Sequence, residues 1–140
     1  TVLLFGCGLT FGALMFTSGL AESLGTGLLH ALGLKSLWSI TLMSIVLAVI
    51  ITDFASNTAA ANMVIPVVIS ISKAAGVDPI PPALGACIGA SFAFLLPVST
   101  PPNAIAYASG MLPITRMIKS GAILSLLGVG VIYAGVNLLL

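Results

Sequence analysis

Charge is what this sequence has least of. Its 140 residues carry three acidic side chains, four basic ones and a single histidine. A water-soluble domain keeps Lys, Arg, Glu and Asp at its surface. A chain that is 5% charged and 59% hydrophobic has too few of them to cover itself. The net charge of +1 comes from four basic residues scattered along the whole length. That excludes nucleic acid as a partner, because holding a phosphate backbone takes a concentrated basic face. Cysteine is scarce too. Cys7 and Cys87 both lie inside apolar runs, which predicts small buried core residues and not a disulfide or a metal pair. The opening at Thr1 has no Met, no charged leader segment and no small-residue cleavage pattern, so it reads as part of a longer chain and not as a signal peptide.

What is present is apolar length, with a mean hydropathy of +1.28. An all-α integral membrane protein is the class that fits. Residues 2–18 come close to the roughly 20 residues that a transmembrane helix needs. In them Gly8 and Gly12 form a pair of small residues that lets a second helix approach closely. Over residues 19–34 the apolar run is interrupted by Glu22 and His30, and leucines recur at 20, 24, 28 and 32. That spacing predicts a short amphipathic helix lying in the interface.

Two apolar arms follow, 36–52 and 59–73, on either side of Asp53, Ser56, Asn57 and Thr58. Trp38 opens the first arm, where an indole anchors at headgroup level. Each arm is short for a full crossing, and both together are far too long for one. The lengths therefore predict a re-entrant hairpin over 35–76 that turns at Ser56, Asn57 and Thr58. The prolines of 79–82 predict a turn, and 83–96 a half-length helix with Gly85 and Gly89 as a second close-approach face. Thr100, Pro101 and Pro102 cannot continue the helical ladder, so 97–102 is a break and 103–111 resumes the helix. A polar turn over 112–120 carries Arg116 and Lys119, and 121–140 is a final span. The predicted domains are thus a membrane helix with an interfacial helix over 1–34, the hairpin over 35–76, a broken transmembrane helix over 79–112 and a last transmembrane helix within 113–140.

Charge placement predicts an orientation. Glu22, Lys35, Lys73 and Asp78 lie on the hairpin side and cancel, whereas Arg116 and Lys119 lie on the other side. The positive-inside rule puts the second group in the cytoplasm, with the hairpin entering from outside and the C-terminus outside. The compact loops suit a bacterial inner membrane.

The two breaks carry the chemistry. Backbone groups freed inside lipid cost several kcal/mol each and persist only where protein or a polar cavity surrounds them. Ser56, Asn57 and Thr58 are N-cap residue types, and Pro101 and Pro102 suit a first helical turn. Each break therefore offers a helix N-terminus with free N–H groups and about half a unit of positive charge, which attracts an anion. Side chains of Asn57, Thr58 and Asn103 add donors. Each break also offers unpaired carbonyls, near 52–55 and 97–99, of the kind that a sodium ion takes as ligands. Broken helices of this sort are where secondary transporters bind substrate and coupling ion. A carboxylate at depth marks a functional position. Asp53 suits a structural or indirect ion role, with three readings open: holding the hairpin turn through backbone N–H groups, lying near the cation, or being protonated.

Residues 52–58, Thr52, Asp53, Phe54, Ala55, Ser56, Asn57 and Thr58, are followed about forty positions later by Leu96, Pro97, Val98, Ser99, Thr100, Pro101, Pro102, Asn103, Ala104 and Ile105. Together with the opening run from Leu4 to Leu9 and the later Ser18, Gly19 and Leu20, they resemble the C-terminal half of the divalent anion/sodium symporters, the di- and tricarboxylate and sulfate carriers of the ion transporter superfamily. The resemblance covers nearly the whole chain, and it is the combination of the two motifs that is specific. It implies half of an inverted-repeat elevator transporter that works as a homodimer, with 20–33 as a horizontal helix between transport and scaffold domains. It implies substrate carboxylate contacts at Asn57 and Thr58, within a candidate anion set of Ser56, Asn57, Thr58, Thr100, Pro101 and Asn103. It implies a sodium ion near Thr52, Ala55 and Asn57 and the backbone from Ser99 to Pro101. The chain shows only one such half, so the rest of the anion site and a first sodium site fall on sequence outside it.

The resulting expectation is sodium-coupled uptake of a divalent anion such as succinate or malate, across a lipid bilayer and without enzymatic activity. A sodium-independent exchanger of the same fold, or a channel or proton-coupled carrier using Asp53, competes with it. An intramembrane enzyme with Ser56 or Ser99 as nucleophile ranks last, since no His or Lys lies near either in the chain.

Overall fold

The computed structural model describes residues 2–33 and 36–139. Lys35, one of the four charges assigned to the hairpin side, lies outside them. Among the described residues there are seven helices and no strand: α1 (Val2–Thr17), α2 (Leu20–Leu32), α3 (Leu37–Phe54), α4 (Asn57–Ala74), α5 (Ile80–Gly89), α6 (Pro101–Ala108) and α7 (Ile114–Leu139). Two of them, α3 and α7, are long and apolar enough to cross a membrane.

Helix α3 is the centre of the bundle and packs against α4, α5 and α7. It meets α4 antiparallel. Ile40 near its start sits with Val67 and Ile71, and Ala48, further along, with Ala60 and Val64. It meets α5 parallel, in a fixed register. Ser44 donates to the carbonyl of Pro82 at 2.8 Å, and Thr52, eight residues on, donates to the carbonyl of Ala90 at 2.6 Å. Between those two bonds Gly85 and Gly89 let α5 lie almost on α3. A Cβ at Gly85 would stand 2.8 Å from Ile45 Cγ1, and one at Gly89 would stand 3.1 Å from the Ile45 carbonyl. The second small-residue face is therefore a packing face.

The first glycine pair does the same for α1. A Cβ on Gly8 would collide with the Asn62 amide, and one on Gly12 would lie 3.7 Å from Pro66 Cγ. Pro66 sits inside α4 and cannot donate to the carbonyl of Asn62. That carbonyl lies where Gly12 passes, 3.7 Å from the Cβ position.

Helix α7 runs back across the bundle. Gly121 presses on the backbone carbonyl of Phe94 and Gly128 on the ring of Phe92. Ile132 and Val136 pack on Ile45 and Val49 of α3.

The elements differ from the sequence expectation in five places. The hairpin arms are 18 residues each, or about 27 Å, so their length alone does not distinguish a crossing from a re-entrant pair. Pro81 and Pro82 do not form a separate turn but lie in the first turn of α5, where a missing N–H costs little. Helix α5 stops at Gly89 instead of running to 96, because partners elsewhere in the fold take the backbone groups of 93–96. Helix α7 begins at Ile114, so Arg116 and Lys119 ride on its first turns, where the N–H groups of Arg116 and Met117 bond to the Pro113 carbonyl. Helix α6 runs from Pro101 to Ala108 instead of from 103 to 111, since both prolines fit its first turn. Helix α2 forms where a short helix is expected, with Ala21, Gly25 and Leu28 packed against Ile71 and Leu20 and Leu24 exposed. Gly25 sits where α4 comes closest, with Ile71 Cγ1 3.2 Å from a Cβ built on it.

Candidate functional site

The parallel register brings the ends of α3 and α5 to one level. Helix α3 ends at Phe54, and Ala55 and Ser56 are both extended before α4 begins at Asn57. Three helix ends therefore meet: two C-termini, from α3 and α5, and the N-terminus of α4. The C-termini offer carbonyl oxygens and partial negative charge, and the N-terminus offers N–H groups and partial positive charge.

The turn is built as its residue types dictate. Ser56 Oγ accepts the N–H of Ala59 at 3.2 Å, and the Ser56 carbonyl accepts the N–H of Ala60 at 2.8 Å. The N–H groups of Asn57 and Thr58, in the first turn of α4, have no partner within their own helix.

At the C-terminal ends, Thr52 Oγ1 lies 2.6 Å from the carbonyl oxygen of Ala90 and 2.8 Å from Asn57 Oδ1. Thr52 is fully buried. A hydroxyl has one proton to give, so three oxygens converge on a single hydrogen. Turning the Asn57 amide about lets Nδ2 donate to Thr52, which then donates to Ala90. In the other orientation the three oxygens form one side of a ligand shell for a hard cation.

Asp53, 3% exposed, does not hold its own hairpin turn. Its Oδ1 accepts the N–H of Leu95 at 3.0 Å, and Ser99 Oγ donates to its backbone carbonyl at 2.9 Å, with Oδ1 at 3.4 Å. From the other side Asn103 Nδ2 reaches the carbonyls of Ala93 and Leu96 at 3.1 and 3.2 Å. The unwound stretch from 90 to 100 is thus clamped by a carboxylate of α3 and an amide of α6. These two side chains take the groups that a continued α5 would have paired internally.

The structure brings Thr52 and Asn57 into direct contact and ties Ser99 to Asp53, the next residue of α3. Ala55 caps α3, its N–H bonded to the Ile51 carbonyl. Asn57 and Thr58 line a hollow of about 340 Å³ with Asn62, Cys87, Ala90 and Ser91. Asn103 instead lines a different cleft, beside Arg116 and Lys119. Thr100 is the N-cap of α6 without a side-chain cap bond, and Pro101 is exposed in its first turn.

Sequence reasoning missed Asn62, which Thr58 could have signalled, since residues four apart share a helix face. It also missed the Ala90 carbonyl and the Leu95 N–H, which are backbone groups and leave no trace in residue type. Cys7 and Cys87 are exposed, against the buried positions expected of them. The outer faces of this bundle are apolar themselves, so an apolar run does not by itself mean burial. Among the described residues no group of three or more His, Cys, Asp and Glu is clustered to hold a metal ion, and the oxygens that meet at Thr52, Asn57 and Ala90 are neutral.

Residues 1–138 match the family model described as the sodium:sulfate symporter transmembrane region. An uncharacterized transporter of Haemophilus influenzae is 40% identical over 131 residues, which is 94% of this chain and 28% of that protein. The human Na(+)/dicarboxylate cotransporter 3 is 37% identical over 137 residues, 97% of this chain and 22% of its own length. The rat Na(+)/citrate cotransporter is 32% identical over 136 residues, 97% of this chain and 24% of its own. The chain thus spans about a quarter of the length of these relatives.

Proposed function

The chain belongs to the sodium:sulfate symporter family, and from that we propose that it is one half-site of an integral membrane carrier that couples sodium entry to uptake of a divalent anion. C4-dicarboxylates such as succinate or malate are the first candidates, because relatives carry the names of dicarboxylate and citrate cotransporters. The carrier performs no covalent chemistry on its cargo.

One observation carries this reading: the C-termini of α3 and α5 and the N-terminus of α4 converge on Thr52, Asn57 and the Ala90 carbonyl. Sodium takes the oxygens of the C-terminal ends and of the Asn57 amide. The anion takes the free N–H groups of Asn57 and Thr58 and their side chains. Because Asn57 belongs to both sets, sodium bound first organises the anion site. The assignments to Ser56, Thr100 and Pro101 for the anion, and to Ala55, Ser99 and Pro101 for sodium, belong to the same proposal, whereas Asn103, expected in the anion set, clamps the unwound stretch and lines the cleft beside Arg116 and Lys119.

The α3–α4 pair is read as re-entrant because Ser56, Asn57 and Thr58 and the three helix ends at its tip suit a polar cavity enclosed by protein. Arg116 and Lys119 then mark the cytoplasmic side, with the C-terminus outside. The remaining sequence of the parent carrier supplies the second, inverted half, and the carrier works as an elevator-type homodimer, for which a bacterial inner membrane is the setting.

The test is uptake of radiolabelled succinate by proteoliposomes of the intact parent protein, with citrate and sulfate as competitors. Uptake is expected to rise steeply with an inward sodium gradient and to vanish when potassium replaces sodium. Uptake that runs equally without sodium, driven by a trapped counter-anion, would replace symport by exchange.

A further inference from the structure

We propose that the cleft between α6 and the first turns of α7 is a binding site for an anionic phospholipid, distinct from the site at the hairpin tip. The cleft has a volume of about 590 Å³ and is lined by Asn103, Arg116, Lys119, Ile123 and Leu124. Arg116 and Lys119 are three residues apart, on one face of α7, and both are exposed.

Their charge is not answered within the described residues, whose three carboxylates are engaged or placed elsewhere. Asp53 accepts from Leu95, Asp78 caps the N–H of Ile80, and Glu22 lines a separate cavity beside Lys73. Two cations at the end of an apolar helix call for an anion at headgroup level. Below them the same face of α7 is apolar and uncovered, with Ile123 62% and Leu127 60% exposed.

A free phosphate or a dicarboxylate would satisfy the two cations and leave that apolar strip bare. A phospholipid satisfies both, with its phosphate between Arg116 and Lys119 and an acyl chain along Ile123 and Leu127. Arg116 suits the phosphate in particular, since its guanidinium binds such oxygens in pairs.

The experiment is native mass spectrometry of the intact parent protein, with lipids exchanged to mixtures of phosphatidylglycerol and phosphatidylcholine. Wild type is expected to retain phosphatidylglycerol selectively, and the Arg116→Gln/Lys119→Gln double variant to lose that preference about tenfold. The charge-conserving Arg116→Lys/Lys119→Arg double variant, which controls for folding, is expected to keep most of it. Retention unchanged in the Gln double variant would overturn the proposal. So would displacement of the lipid by millimolar glycerol phosphate, which would make the site a free-anion site. A cross-link from a photoreactive residue at position 119 to the parent's own chain, in place of lipid, would overturn it as well.

Discussion

Replacing Asp53 by alanine will abolish sodium-driven uptake by the intact transporter while the protein still inserts, and replacing it by asparagine will not. The carboxylate accepts the Leu95 N–H at 3.0 Å and stands 3.4 Å from Ser99 Oγ, at a position 3% exposed. Alanine leaves a buried N–H unpaired, at a cost of about 1–3 kcal/mol. A stretch with no helical ladder of its own does not absorb that cost, since irregular segments open at the low end of the local stability range. The unwound loop then leaves the hairpin tip, and Ala90, whose carbonyl Thr52 contacts, moves with it. Asparagine keeps an acceptor oxygen at the same place, so the loop stays anchored. Uptake is to be compared at equal membrane abundance. If Asp53→Asn is as inactive as Asp53→Ala, and a proton gradient replaces sodium in the wild type, Asp53 is a proton carrier and its role as a clamp is wrong.

The second large effect falls on the oxygen cluster. Thr52→Val preserves shape and removes one oxygen that touches both Ala90 and Asn57. Losing a contact to a charged partner is worth about 1.5–3 kcal/mol, so the sodium concentration for half-maximal uptake is expected to rise by about tenfold or more. The succinate requirement at saturating sodium is expected to change little. Asn57→Ala removes the group shared by both ligands and is expected to abolish uptake at any sodium concentration. A Thr52→Val carrier with an unchanged sodium curve would take the hydroxyl out of the cation site.

Much of this arrangement was legible in the sequence because it rests on residue types with few other uses at such depth. Ser56 followed by Asn57 and Thr58 in an apolar run announces a helix start, and Gly85 with Gly89 announces a close contact. Both appear in the structure as turn and packing face. The end of α5 was not legible. Residues 91–96 hold Ser, Phe, Ala, Phe, Leu and Leu, types that would continue a helix. They leave it because Asp53 and Gly121, distant in sequence, and Asn103, on the next helix, meet their backbone. The roles of Asp53 and Asn103 were hidden for the same reason: their partners are backbone atoms placed by tertiary packing. The leucine spacing of α2 marks a helix face without saying whether protein or lipid covers it.

Binding linkage in the intact transporter tests the shared site most directly. Labelled succinate is bound at a series of sodium concentrations, and labelled sodium at a series of succinate concentrations. If Asn57 and the ends of α3, α4 and α5 serve both ligands, sodium will tighten succinate by at least about fivefold, and succinate will tighten sodium by the same factor. Affinities that ignore one another, each constant across the whole range of the other ligand, would contradict it.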